Sequence, residues 1–540
     1  MHTLRRSSPK GLAGKEPACK CSTANVYVHV YFLRLYIFTF KRAIYRYFLA
    51  NFARIDVIMI IFEKNKAMEN LFGRQEEIAE LTRYYESGKA EFVAIYGRRR
   101  VGKTFLIDSL FDGKYAFSTS GIIGGTQEEE MAAFTEDLRR YGYKGQKPRS
   151  WMKAFEALRT LLESKLVSGK RMVIFIDELP CLATPKSSLV KAIDRFWNNW
   201  AGKHKEIFLI VCGSATSWII RNIIDDKGGL HNRITHEKHL FPFTLGETRD
   251  YLHKRGFTWT DISILQAYMI LGGVPFYLDL LERNKSLPEN IDALFFGKDA
   301  QLSREFDRLY KSIFNTPEKY KAVIKALATS RKGMTRAELA TKLKVNNNGH
   351  FGDILEDLVN CDFIRYYNIL GKTVRSTGGL YQLTDFYSIF HQTFLTKHIT
   401  DAHYWSATLN NPVQNTWYGL AFERVAMSHI PQILKAIGVD RILTQYYSWR
   451  SAESPKGAQV DLVIDRADGI INLCEVKYST GEYSISKDEF MKLSNRSEVF
   501  RRESGTKKGI FLTLITTYGL SRNGYSDIAN NTITMADLFL

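Results

Sequence analysis

The stretch EFVAIYGRRRVGKTFLIDSLF, from Glu91 to Phe111, limits what this 540-residue chain can fold into more than any other feature. Phe92 to Tyr96 is a short apolar run that reads as a buried strand, Gly97 and Gly102 bracket four residues, and an apolar-periodic helix follows. Strand, glycine loop and helix in that order suit phosphate: the loop offers successive backbone N–H groups to oxygen, and the helix aims its positive end at the same charge. The candidate phosphate-contacting set is Gly97, Arg98, Arg99, Arg100, Val101, Gly102, Lys103 and Thr104, with Phe105 next in the helix. In this pattern Lys103 reaches the outer phosphates and the Thr104 hydroxyl ligates magnesium, so ATP and magnesium are the expected cofactors.

Two further apolar runs fit a parallel sheet around that loop. Arg171 to Ile176 (RMVIFI) ends in Asp177 and Glu178, and in such sheets ligand groups emerge at the carboxyl ends of strands. Asp177 is placed to hold magnesium through water and Glu178 to polarise the attacking water, whereas without the loop the pair would read as a helix cap. Ile207 to Cys212 (IFLIVC) runs into Gly213 and Ser214. Ser214 is either a sensor of the outer phosphate or part of a turn capping the next helix. Arg233, in GGLHNRITHEKHLFPFT, is a candidate arginine finger or an ordinary surface arginine.

With FGRQEEIAEL (Phe72 to Leu81), IYGRRRVGKT, VIFIDELPCL, IVCGSAT, HLFPFTLGE and LGGVPFYL (Leu271 to Leu278) on the page, the chain resembles the archaeal-type AAA-related ATPases of the signal-transducing ATPase group across residues 68–390. The resemblance implies that the head residues Phe72, Gly73 and Arg74 lie beside the base. It also implies that a Gly-x-Pro element of a helical lid, here Gly273 and Pro275, approaches the nucleotide. Without it, Gly273 and Pro275 say only that the chain turns.

Downstream, PEKYKAVIKALATS, MTRAELATKLKV and GHFGDILEDLVNCDF read as three short amphipathic helices, with Thr335 as N-cap of the second. A hairpin-like segment with turns at Gly371 and Gly378 follows, and three helices with a wing describe a winged helix. Such a unit commonly reads DNA with its third helix. Here that helix carries Asp353, Glu356 and Asp357 and no Lys or Arg, while Lys372 and Arg375 lie in the wing. DNA reading and a protein-docking role therefore both stand.

Beyond residue 395, LAFERVAMSHI reads as a helix containing Glu423, and GAQVDLVIDRADGIINLCEVKYS reads as strand, turn and strand. Alternation puts Glu475 and Lys477 on one face, with Asp461 on the neighbouring strand able to meet them. Two carboxylates sharing a metal beside a lysine suit metal-assisted phosphodiester cleavage, and the pattern resembles the PD-(D/E)xK nuclease fold. Val460 stands where the pattern usually has Pro. An inert nuclease-like fold and a surface cross-strand pair are the alternatives.

The formal charge of +18 favours an anionic partner, yet half of it sits in residues 1–67, with twelve Lys/Arg against three Asp/Glu. That segment gives no secure membrane span: Val26 to Phe40 is fifteen residues long and holds His29 and Arg34. Either translation starts at Met59 or Met68, or residues 26–62 make an interfacial helix. The six cysteines form no paired motif, which points to a reducing, cytoplasmic setting, and His350, His398 and His403 are isolated.

The expected fold is α/β: a P-loop NTPase parallel sheet with helical lid, a winged helix, and a C-terminal α/β restriction-endonuclease-like domain. The expected division is a basic extension 1–67, ATPase core 68–250, lid 251–315, winged helix 316–390 and nuclease-like domain 395–540. The expected function is magnesium-dependent ATP hydrolysis as a conformational switch acting on double-stranded DNA, in a protein able to form oligomers. The alternative is a non-hydrolysing, ATP-bound DNA-binding or protein-docking regulator.

Overall fold

The computed structural model describes residues 73–540 apart from 185–186, 226–228, 231, 331–332, 368–378, 398 and 452–457. The expectations on residues 1–67, Phe72, the wing with Gly371, Lys372, Arg375 and Gly378, and His398 lie outside the described residues.

Five strands, β1 (Glu91–Tyr96), β2 (Phe117–Ser120), β3 (Met172–Asp177), β4 (Ile207–Gly213) and β5 (His236–His239), form one sheet in the order β2-β3-β4-β1-β5. Every pairing is parallel. The three central strands are apolar apart from Glu91 and Asp177 at their ends, because the sheet is covered on both faces. Phe92 and Ala94 of β1 pack with Ile174 and Leu209 under the helices Gln127–Arg140, Trp151–Glu163 and Leu189–Asn199. Val93 and Ile95 turn the other way, with Phe175 and Ile210, towards the helices Gln75–Tyr85 and Lys103–Phe111. The edge strand β5, half-exposed, has no apolar run to announce it.

A second large core runs from Phe243 to Phe539. It joins the helices Leu245–Lys254 and Asp261–Leu271 to the helices Pro317–Ala328, Arg336–Leu343 and Gly349–Asn360, as buried Leu252, Leu265, Ile324, Leu339 and Leu355 share it. Beside the last three helices lies a small antiparallel sheet of β6 (Met334–Thr335), β7 (Ile364–Tyr367) and β8 (Leu380–Leu383), ordered β6-β8-β7.

The C-terminal sheet has the order β13-β12-β11-β10-β9, from β9 (Thr444–Arg450), β10 (Gln459–Arg466), β11 (Ile470–Lys477), β12 (Gly509–Thr516) and β13 (Asn531–Ile533). Strands β9, β10 and β11 are antiparallel, and β11, β12 and β13 parallel. The helix Lys487–Ser504 makes the crossover from β11 to β12 that a parallel pair needs. Leu462, Ile464 and Cys474 face the large core, while Val463, Leu473 and Leu514 pack with Phe500 of that helix.

One polar contact ties the ends of the large core together. Buried His429 accepts the Leu245 N–H at Nε2 (3.0 Å), while its Nδ1–H donates to the Val425 carbonyl (2.8 Å). The acceptor role of Nε2 requires the neutral ring, and burial pushes the His429 pKa down to about 4.

Candidate functional site

The loop after β1 sits at the carboxyl end of the sheet, where three strand ends converge. Gly97 has φ 147°, and a Cβ there would lie 2.3 Å from the Leu240 carbonyl oxygen, so no other residue fits. Gly102 has φ 89° and caps the helix Lys103–Phe111, leaving that helix's first N–H groups free of any side-chain cap.

Lys103 is buried, and its Nζ donates to the carbonyls of Gly97 (2.9 Å) and Arg98 (3.0 Å) and to Ser214 Oγ (3.0 Å). The Thr104 hydroxyl donates to Asp177 Oδ2 (2.6 Å), whose Oδ1 accepts the Glu178 N–H (2.9 Å). Glu178 in turn accepts from Ser214, N–H to Oε2 (3.0 Å) and Oγ–H to Oε1 (2.6 Å). Lys103, Thr104, Asp177, Glu178 and Ser214, expected separately from three stretches of sequence, thus form one bonded group. Burial pushes the Asp177 pKa up, against the Thr104 hydrogen bond, and pushes that of Lys103 down, against the nearby carboxylates. Lys103, Asp177 and Ser214 are buried, so charges here act strongly, while Thr104 is exposed to solvent.

Glu178 has φ 43° and ψ 45°, a left-handed conformation uncommon for a side chain of its size. Its turn is held from both sides. A Cβ on Gly121 would lie 2.5 Å from the Glu178 carbonyl oxygen, and one on Gly213 would lie 2.6 Å from Pro180 Cδ. These two glycines are structural parts of the site that its sequence pattern did not single out.

Two further segments, at Gly73–Arg74 and Gly273–Pro275, pack against the Phe241–Phe243 stretch beside this group. Arg74 donates from Nη2 to the Phe241 (2.5 Å) and Val101 (3.2 Å) carbonyls, and its backbone N–H donates to Glu247 Oε1 (3.1 Å). It therefore braces the loop from outside. Gly73, at φ 65°, sits against Phe243 and Glu247. Gly273 is pressed onto the Phe243 backbone, whose N–H donates to the Gly273 carbonyl (2.6 Å), and Pro275 opens the short helix Pro275–Asp279. Phe105 is exposed at 58%.

The loop arginines do something sequence spacing does not show. Arg98 extends away from the loop to Asp385 Oδ1 (2.5 Å), both side chains 2% exposed. Arg100 pairs with Glu305 Oε1 (2.8 Å) and lies 3.9 Å from the centre of the Phe276 ring. Arg99 is half-buried. Asp385 and Glu305 are functional candidates that sequence reasoning missed; Asp385 announces itself only as a helix N-cap, donated to by Ser388 N–H (3.0 Å).

Arg233 is not brought to this group. It lies two residues before Thr235, whose N–H donates to the Phe92 carbonyl (2.9 Å) near the start of β1, at the end of the sheet opposite the loop. Since β1 and β5 are parallel, a residue just preceding β5 must sit there.

In the C-terminal sheet Glu475 and Lys477 do share a face, 3.0 Å apart, and Lys477 also pairs with Glu489 (3.1 Å). Arg496 donates to Glu475 as well. These carboxylates hold the Lys477 ammonium pKa well above its ordinary value in spite of burial. Asp461 does not join them: among the described residues its hydrogen bond comes from Gln459. The irregularity of β10 between Val460 and Val463 supplies the reason, since a bulge re-aims the side chain it displaces. Among the described residues no cluster of three or more His, Cys, Asp or Glu is placed to hold a metal ion.

The third of the three short helices, Gly349–Asn360, turns its acidic end to the first sheet. Arg221 pairs with Asp357 (2.9 Å) and Glu356 (3.4 Å), and Asn360 donates to Ser217 Oγ (3.2 Å). Nearby, His239 at the end of β5 pairs with Asp362 (2.9 Å).

The parallel sheet and its loop define the P-loop class of nucleotide-binding domain. Within that class, residues 71–281 match the family described as an ATPase domain predominantly from Archaea. The chain is 23% identical over 367 residues, 67% of its own length and 77% of the relative's, to an uncharacterized protein of Methanocaldococcus jannaschii. A shorter stretch of 41 residues, 8% of this chain and 70% of the relative, is 46% identical to an uncharacterized ATP-binding protein of the same archaeon. Among solved structures, the Walker-type ATPase of Pyrococcus abyssi matches at 18% identity over 60% of this chain and 96% of that one, with a TM-score of 0.43. Among described residues no helix is long and apolar enough to cross a membrane.

Proposed function

We propose that this chain binds ATP with magnesium at Gly97–Thr104 and hydrolyses it as a conformational switch. The observation that carries the reading is the bonded group of Lys103, Thr104, Asp177, Glu178 and Ser214 at the carboxyl end of the sheet. The loop N–H groups and Lys103 neutralise the phosphates. Thr104 and Asp177 present hard oxygen donors 2.6 Å apart, a set suited to magnesium, which would supply positive charge to the phosphate oxygens. Glu178 orients a water and accepts its proton, and Ser214, bonded to both Lys103 and Glu178, senses the outer phosphate.

The output is delivered by the downstream units, a winged helix at 316–390 and a nuclease-like domain at 395–540, with duplex DNA as the proposed target. Arg496 on Glu475, and Asp461 held apart, favour the alternative in which the C-terminal unit is catalytically inert. The free cysteines Cys181, Cys212, Cys361 and Cys474 support a cytoplasmic setting.

The test is steady-state ATP hydrolysis with magnesium, with and without duplex DNA, on the full chain. Lys103→Ala is expected to lower turnover by roughly 100-fold or more with the fold retained, as loss of a preorganised positive donor does. Equal turnover in the folded variant would sink the assignment.

A further inference from the structure

The phosphate loop is fastened at both faces of one residue. The Arg98 carbonyl accepts a hydrogen bond from Lys103 Nζ (3.0 Å), while the Arg98 side chain leaves the loop and pairs with Asp385, 287 residues further on. The guanidinium is buried and lies 5.0 Å from the centre of the Phe363 ring. Among the described residues its Nε and Nη2 have no hydrogen-bond partner, so Asp385 is the group that balances it. Burial works against that charge, and Asp385 more than offsets it, holding the Arg98 pKa above its ordinary value. Asp385 in turn caps the helix Phe386–Phe394 through the Ser388 N–H. A buried pair of this kind adds little net stability against apolar packing, but removing one member strands a charge, which makes it suited to fixing an arrangement.

Two more contacts put the same downstream unit on the same end of the sheet. Ser217, three residues after Ser214, accepts from Asn360, and His239 at the end of β5 pairs with Asp362. The loop, the Ser214 strand end and β5 therefore all meet one unit.

We infer that Arg98 is a positioning residue through which Asp385 holds the loop in its phosphate-receiving shape, so that nucleotide binding and docking of the Phe386–Phe394 helix are one equilibrium. This rests on the nucleotide reading above and adds the route by which the nucleotide is sensed downstream. By reciprocity, a nucleotide that favours the docked unit binds more weakly when docking is weakened. Arg98 touches no reacting atom; it acts by placing its own carbonyl and hence Lys103.

The experiment compares the full-length wild type with Asp385→Asn, which keeps an acceptor for Ser388 N–H, and with the double variant Arg98→Met/Asp385→Asn, which removes the charge from both sides. Calorimetric ATP affinity and hydrogen exchange of the Phe386–Phe394 helix are measured with and without magnesium-ATP. In the wild type ATP is expected to slow exchange in that helix, and Asp385→Asn to weaken ATP binding by about tenfold. The double variant is expected to recover wild-type thermal stability and yet show no ATP-dependent protection of the helix. A purely structural pair would instead recover both together, and that result overturns the inference. If the wild type binds ATP with helix exchange unchanged, this inference falls alone. If the wild type binds no ATP, the nucleotide reading falls and takes this one with it.

Discussion

At the scale of single residues, the site is built from positions where one atom too many is excluded. Gly273 is the sharpest: a Cβ would lie 1.8 Å from the Phe243 carbonyl oxygen and 2.9 Å from its nitrogen. Backbone atoms cannot swing aside as a flexible side chain can, so Gly273→Ala must separate the turn at Gly273 from the Phe241–Phe243 segment that Arg74 ties to the loop. The expected cost is about 1–3 kcal/mol of overpacking, with ATP affinity falling alongside. Gly419, inside the helix Pro412–Ser428 with nothing within 4 Å of a Cβ, is the control. There alanine is expected to be neutral or to stabilise by about 0.5–1 kcal/mol, since it only removes glycine's freedom in a helix. Thermal unfolding of both variants separates the two cases. The sequence pattern named Gly97, Gly102, Lys103 and Thr104 because their spacing is local and each answers to phosphate geometry. Asp385 and Glu305 escaped it because nothing in spacing links residue 98 to residue 385, or residue 100 to residue 305.

At the scale of elements, the strands read from the sequence were those with apolar side chains on both faces. β1, β3 and β4 are continuous apolar runs because they lie inside a covered parallel sheet, and their observed limits fall within a residue of the expected ones. β5, with sequence HEKH, is an edge strand whose only sheet neighbour among the described residues is β1, so its composition carried no signal. Helix starts were legible where caps are local. Thr335 forms the expected N-cap as a reciprocal box, with Glu338 N–H donating to Thr335 Oγ1 (3.2 Å) and Thr335 N–H to Glu338 Oε2 (2.7 Å). Thr335→Ala is expected to cost about 1 kcal/mol, read as a lower urea midpoint with an unchanged slope. Asp461 shows the reverse. Period-two alternation placed it with Glu475 and Lys477, and a one-residue irregularity in β10, invisible in composition, defeated the count.

At the scale of the whole molecule, two histidines packed along the second core make its stability respond to acid. His429 is buried and His391 half-buried, and desolvation depresses each pKa to about 4 from an ordinary 6.5. Above pH 6.5 both are neutral in either state and stability is unaffected by them. As pH falls from 6.5 towards 4 the unfolded chain takes up protons that the folded one refuses, so stability drops, and below about 4 the loss levels off. His429→Gln, able to keep an acceptor for Leu245 N–H, is expected to shrink the stability difference between pH 7 and pH 5 by roughly 2 kcal/mol, measured by urea unfolding at each pH. The first sheet closes its two cores with residues no later than Leu240, whereas the partner of Arg98 comes 287 residues after it. During synthesis the nucleotide sheet can therefore gather on the ribosome well before Asp385 has emerged, leaving a guanidinium without its buried counterion in the nascent chain. The grip on the loop is thus completed only by a residue made long after the loop itself.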